Sequence, residues 1–165
     1  MPSEKTLYAF NEFSVGVRWR VVDDIVMGGR SEGHFAITER KHGRFYGHLS
    51  TENNGGFSSV HRKFDPPVDI AGYDRIRIRL RGDGSQYQFR VRATPEQRYQ
   101  YTYEFDTTGD WEVIDIPLAQ LYPVYRGNRL EEPNFRGDRL AEIAFLISND
   151  RPQPFQLLLD RLELA

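Results

Sequence analysis

The residues of this chain with the most chemical potential fall into three groups. Two polar, Gly-rich stretches lie near the start, a row of arginines lies in the middle, and four histidines are scattered between them. The first stretch runs Val22-Asp23-Asp24-Ile25-Val26-Met27-Gly28-Gly29-Arg30-Ser31, and the second carries Asn53-Asn54-Gly55-Gly56 ahead of Phe57. Paired glycines let a backbone come close to a ligand or partner chain, with Asp23, Asp24, Met27, Ser31, Asn53 and Asn54 as side-chain contacts. The same residues also suit a conformational role, in which the glycines satisfy positive-φ turns while Asp24 and Ser31 bond the loop backbone. That conformational role is the preferred one. A partner surface, where present, is expected on these loops, because binding residues concentrate on loops carried by a rigid scaffold.

The arginines are the more physical clue. Arg75, Arg77, Arg79 and Arg81 alternate with Ile76, Ile78 and Leu80, the period of a half-buried strand. Gln86 to Arg92 alternates too, with Tyr87, Phe89 and Val91 on one side and Arg90 and Arg92 on the other. Folding both runs about Gly82-Asp83-Gly84-Ser85 as a tight hairpin pairs Leu80 with Tyr87, Ile78 with Phe89 and Ile76 with Val91. It also sets Arg77 opposite Arg90 and Arg75 opposite Arg92, which destabilises a sheet by up to about 1 kcal/mol per pair. Acid is therefore expected over this face. Glu104, Glu112 or Asp115 from neighbouring strands would form a solvated ion-pair lattice; the alternative is an anionic protein, nucleic acid or glycan.

Other chemistry has less behind it. His34, His42, His48 and His61 lack the paired spacing of a zinc site. No Gly-x-Ser-x-Gly, phosphate-binding or dinucleotide glycine pattern is present. An acid–base pair such as Asp24 with His61 has no motif to support it. No catalytic residue, metal or cofactor is assigned. The chain has no cysteine, so disulfides and thiolate chemistry are excluded. With 24 acidic residues against 22 basic ones, a net charge of -2 argues against general polyanion binding. The apolar run Ile143 to Ile147 is far too short to span a bilayer as a helix. The N-terminus shows no secretory or organelle leader, and the expectation is a cytoplasmic protein.

The elements that must position these residues are mostly strands. Besides the runs above, Tyr99, Tyr101, Tyr103 and Phe105 alternate with Gln100, Thr102 and Glu104 as a third strand of a meander. The tyrosines belong to the core rather than to a stacking platform. Further strands are expected near Arg44–Ser50, Ser58–Phe64, Trp111–Ile116, Glu142–Ser148 and Phe155–Leu164. Trp111 and Val113 point away from Ile114 and Ile116, which suggests a bulge or a strand covered on both faces. Pro117 to Arg139 reads as a long loop packed by Leu121, Tyr122 and Tyr125, with a helical turn near Leu118. The pattern gives one all-β domain over residues 1–165, an antiparallel β-sandwich, with residues 1–8 as a flexible N-terminal segment.

The residues quoted resemble the CIA30 family, the complex I intermediate-associated protein 30 domain. The marks are Asp23 to Ser31, Asn54 to Phe57, Gly82 to Tyr87, Trp111 to Pro117, Tyr125 to Gly127, and the close through Ile143–Ser148 and Phe155–Leu157. One departure lies at His61, where the family pattern has arginine; Arg62 is adjacent but points to the opposite face. The resemblance implies a galactose-binding-like jelly roll and a non-catalytic assembly-factor role for a respiratory or other electron-transport complex. Protein subunits or intermediates of that membrane complex would be the partners, in a bacterial stand-alone version of the domain. The fold implied also carries two alternatives, a carbohydrate-binding module and an RNA-binding domain using the arginine face. Asp160 resembles the carboxylate that holds structural calcium in such modules, without a supporting ligand run. The candidate binding set is then Asp23, Asp24, Met27, Gly28, Gly29, Ser31, Asn53, Asn54, Gly55, Gly56, His61, Arg77, Arg79 and Arg90.

Overall fold

Apolar residues at every second position make a sheet with one greasy face, and two such sheets bury those faces against each other. The computed structural model, which describes residues 4–10, 19–23, 30–52, 56–149 and 151–165, shows this solution. One sheet holds β3 (Glu32–Ile37), β4 (Gly43–Leu49), β13 (Gln153–Leu164), β6 (Arg75–Arg81) and β9 (Trp111–Pro117) in that order, with β1 (Lys5–Ala9) also paired to β13. The other runs β11 (Asn128–Arg129), β10 (Tyr122–Tyr125), β8 (Gln100–Asp106), β7 (Gln86–Arg92), β12 (Arg139–Ile147), β5 (Ser58–Asp69) and β2 (Trp19–Asp23). All pairings are antiparallel, and the fold is a jelly-roll β-sandwich. Ile76, Ile78, Leu80, Leu157, Leu159 and Leu162 from the first sheet meet Tyr87, Phe89, Val91, Ile143 and Phe145 from the second in a single buried core.

The hairpin expected between β6 and β7 does not form. β6 pairs with β13 and β9, whereas β7 pairs with β8 and β12 in the opposite sheet. Gly82 to Ser85 is instead the crossover between sheets. Asp83 accepts the amides of Ser85 and Gln156, and Thr107 Oγ1 accepts the Gly84 amide while donating to Ser85 O. Period-2 alternation places Ile78 and Phe89 toward a core but is silent on whether they lie side by side or face to face. Here they face each other across the core. The β7–β8 half of the expected meander does form, with Gln86 opposite Asp106 and Val91 opposite Tyr101.

Three smaller expectations also change. β9 is neither bulged nor covered: it pairs without a register shift, and Val113 is 56% exposed on its outer face. The Pro117–Arg139 segment contains a 3-10 turn at Leu118–Gln120 and then the hairpin β10–β11 around Arg126-Gly127, both of which have positive φ. Within it Leu121 is buried, but Tyr125 is exposed. Lys5 to Ala9, in the segment expected to be loose, pair with the last strand of the chain.

Candidate functional site

Only the flanks of the two Gly-rich stretches fall within the described residues. Asp24, Met27, Gly28, Gly29, Asn53, Asn54 and Gly55 lie outside the described residues. The described members act on backbone and neighbouring strands. Ser31, fully buried, donates to Ser50 O and accepts from the Ser50 amide at 2.9 Å. Asp23 accepts the Ser58 hydroxyl at 2.5 Å and the Gly33 amide at 3.0 Å. Ser58 and Asp23 belong to the seven-stranded sheet and Gly33 to the other, so this carboxylate stitches the two layers. Gly56 has φ 140°, a conformation that favours glycine.

Because β6 and β7 sit in different sheets, Arg77 and Arg79 are far from Arg90 in the architecture, on the opposite outer face. The face expected to carry Arg77 and Arg90 together does not exist, so the RNA reading loses that pairing. On the six-stranded sheet four arginines find carboxylates, while Arg44 bonds the Gln156 amide oxygen and Arg81 bonds Gly109 O. Arg75 and Arg77 meet Asp115, Arg77 also meets Glu4, and Arg161 meets Glu163. Arg79 lies over the Trp111 ring and donates to Asp160, whose carboxylate also faces Arg161 and His42. A calcium ion at Asp160 would have to displace two guanidinium groups. Of the acids expected in this lattice only Asp115 takes part: Glu112 accepts from Thr108, and Glu104 belongs to the other sheet, where it accepts from Tyr122.

The outer face of the seven-stranded sheet is different. Register places Tyr122, Thr102, Arg90, Ala144, His61 and Arg20 in one row across six strands. Glu104, Gln88, Leu146, Ser59 and Val22 form the row on one side, and Glu142 with Arg92 and Lys63 lies on the other. Two linked polar clusters occupy this grid.

The first is centred on Glu142, 3% exposed in the middle of the apolar β12. Alternation with the inward Ile143, Phe145 and Ile147 sets it on the outer face, and a register shift between Leu140 and Glu142 lets Leu140 also turn inward. Its Oε1 lies 2.5 Å from His61 Nδ1 and its Oε2 accepts from Arg92 Nη1 at 2.8 Å. Burial pushes the Glu142 carboxyl up, but the hydrogen bonds and charges of His61 and Arg92 outweigh it and hold the group below its usual range. His61 Nε2 lies 2.9 Å from Ser59 Oγ, and that hydroxyl donates to Val22 O at 2.8 Å. A hydroxyl has one proton, so Ser59 accepts from the ring. That polarity is the reverse of nucleophile activation, and Ser59 is 2% exposed.

The second cluster is centred on Arg90. Its Nε and Nη2 donate to Gln88 Oε1 at 3.0 and 2.7 Å, and its Nη1 donates to Gln100 Oε1 at 3.1 Å. One N–H on each terminal nitrogen is left over. No carboxylate lies within ion-pair distance of it among the described residues. Burial lowers its pKa from the ordinary arginine value, Tyr122 and Glu104 opposing and Arg92 reinforcing the shift. Gln100 Nε2 and Thr102 Oγ1, beside it, are buried without hydrogen-bond partners. Sequence reading singled out Arg90 and His61 and set Gln100 and Thr102 on the polar, hydrogen-bonding side of their strand, but it missed Ser59 and Glu142. The available signal was a lone glutamate inside the run Leu140 to Ile147.

Chemically, then, this face offers a half-buried cation, neighbouring unpaired N–H and O–H donors and a braced ion pair, all carried on paired strands. These features define a jelly-roll β-sandwich with a donor-rich sheet face. Solved structures share the fold at low identity. A family 11 carbohydrate-binding module of a cellulosomal cellulase of Clostridium thermocellum has TM-score 0.70 and 14% identity over 99% of this chain and 94% of that one. The family 11 module of the same organism in complex with a β-1,3-1,4-mixed-linked tetrasaccharide has TM-score 0.66 and 14% identity over 98% and 95%. A low-affinity xylan-binding module from Roseburia intestinalis has TM-score 0.57 and 8% identity over 99% and 96%. No curated protein sequence matches the chain. The family model for complex I intermediate-associated protein 30 (CIA30) matches residues 8–159, and the chain belongs to that family.

Proposed function

We propose that the chain is a non-catalytic binding domain that holds a protein partner during assembly of a membrane redox complex, through the outer face of its seven-stranded sheet. One observation carries this reading: Gln100 Nε2 and Thr102 Oγ1 are buried there without partners among the described residues, beside an Arg90 guanidinium bonded to amide oxygens alone. Buried unpaired polar groups are costly, and a site built to bind is a common reason to retain them. Family membership supplies the partner class. The polarity of Ser59 and His61 argues against acyl transfer at this face.

Exposed Arg20 and Lys63 flank the centre of the face and can be reversed without touching the core. Native affinity capture from host membranes is expected to recover subunits of an electron-transport complex with the wild-type chain and to lose them with Arg20→Glu/Lys63→Glu. Absence of any such subunit from the wild-type capture would overturn the assembly role.

Carbohydrate binding is the second reading, favoured by the likeness to a module that holds a tetrasaccharide. Against it, Tyr122, the aromatic ring in the central row of this face, is stacked under Arg129 at 4.5 Å and its hydroxyl is bonded to Glu104. Calorimetric titration with mixed-linked β-glucan and xylan oligosaccharides is expected to show no heat of binding.

A further inference from the structure

Resting on that reading, we propose that Arg90 is a docking point for a carboxylate on the partner protein, an acidic side chain seated on the free edge of the guanidinium beside Gln100 and Thr102.

The donor inventory selects the ligand. Gln88 and Gln100 each present a neutral amide oxygen to Arg90, so its positive charge is oriented but not neutralised. The contact from Arg90 Nη1 to Gln100 Oε1 turns Gln100 Nε2 away as an unpaired donor. Thr102, directly across the ladder from Arg90, adds a hydroxyl without a partner and is 1% exposed. What is missing is an acceptor with negative charge. A carboxylate supplies two acceptor oxygens at the spacing of the guanidinium fork. Around Arg90 the face carries Arg92 and Lys63 beside Glu142 on one side and Glu104 on the other. Glu142 is already committed to Arg92 and His61. A guanidinium bonded only to amide oxygens gives an acidic side chain a preferred seat on this face.

The probe is a hexaglutamate peptide titrated into the full chain, followed by the side-chain Nε–Hε signals of its arginines in NMR. The Arg90 signal, assigned with Arg90→Gln, is expected to shift saturably. Affinity is expected to fall about ten-fold or more in Arg90→Gln and to stay unchanged in Arg77→Gln on the opposite face. Gln100→Glu keeps the guanidinium and fills the site from within, so it is expected to weaken the peptide similarly without loss of thermal stability. Equal binding by Gln100→Glu and wild type would overturn the proposal, as would a shift confined to the Arg77 face. Hexauridylate or a glucuronate oligomer binding Arg90 more tightly than the peptide would overturn the acidic-protein ligand. If capture of membrane subunits survives Arg90→Gln but not Arg20→Glu/Lys63→Glu, the docking point fails while the proposed function stands.

Discussion

At the residue scale, Glu142 shows how one buried charge is made tolerable and what that costs when it is lost. Its two oxygens are divided between His61 and Arg92, and burial alone would have favoured the neutral acid. Because the folded carboxyl titrates below its ordinary value of 4.5, it stabilises the fold above that pH. The contribution is lost as pH falls from there through the lowered folded value. Glu142→Gln is therefore expected to lower stability at neutral pH by about 3 kcal/mol, the low end for breaking a buried pair, since Arg92 keeps some water contact. Its denaturation midpoints should depend less on pH below 4.5 than those of the wild type; parallel acid limbs would show that Glu142 is not the titrating group. Arg90 is the complementary case, a buried cation whose hydrogen bonds go to amide oxygens and not to a carboxylate.

At the element scale, the contact between β2, β3 and β5 is the tightest joint between the layers. Gly33 gives its amide to Asp23, and a Cβ there would lie 2.1 Å from Ser58 Oγ and 2.9 Å from Asp23 Oδ1. Gly33→Ala is thus expected to cost about 2 kcal/mol by overpacking, read as a lower urea midpoint at unchanged m-value. A midpoint equal to wild type would mean the strands slide apart freely at this end. Sequence reading had put Asp23 among the ligand contacts, but its described bonds are structural. Its partners Gly33 and Ser58 are ten and thirty-five residues away, and no local pattern relates them.

At the scale of the whole molecule, the two outer faces differ in how exposed their ion pairs are. The six-stranded sheet carries an exposed lattice of ion pairs, of which Arg77 and Asp115 are about two-fifths exposed. Such pairs contribute little, so Arg77→Gln is expected to change stability by less than about 1 kcal/mol, with no residual difference in 1 M salt. A larger loss would mean that this lattice, rather than the core, fastens β1 and β9. Much of this architecture was legible in the chain. Alternation in Arg75–Arg81, Gln86–Arg92 and Tyr99–Phe105 determined which side chains turn inward, because a strand presents successive residues to opposite faces whatever its neighbours are. Family motifs from Asp23 to Leu157 determined the jelly roll. Tertiary structure alone decided that β6 and β7 lie in different sheets, that Glu142 meets His61 eighty-one residues away, and that Arg90 pairs with no carboxylate among the described residues. Strand partnership is a long-range choice, set by how two whole sheets fill one core, and period-2 patterning is identical for every partner a strand could take.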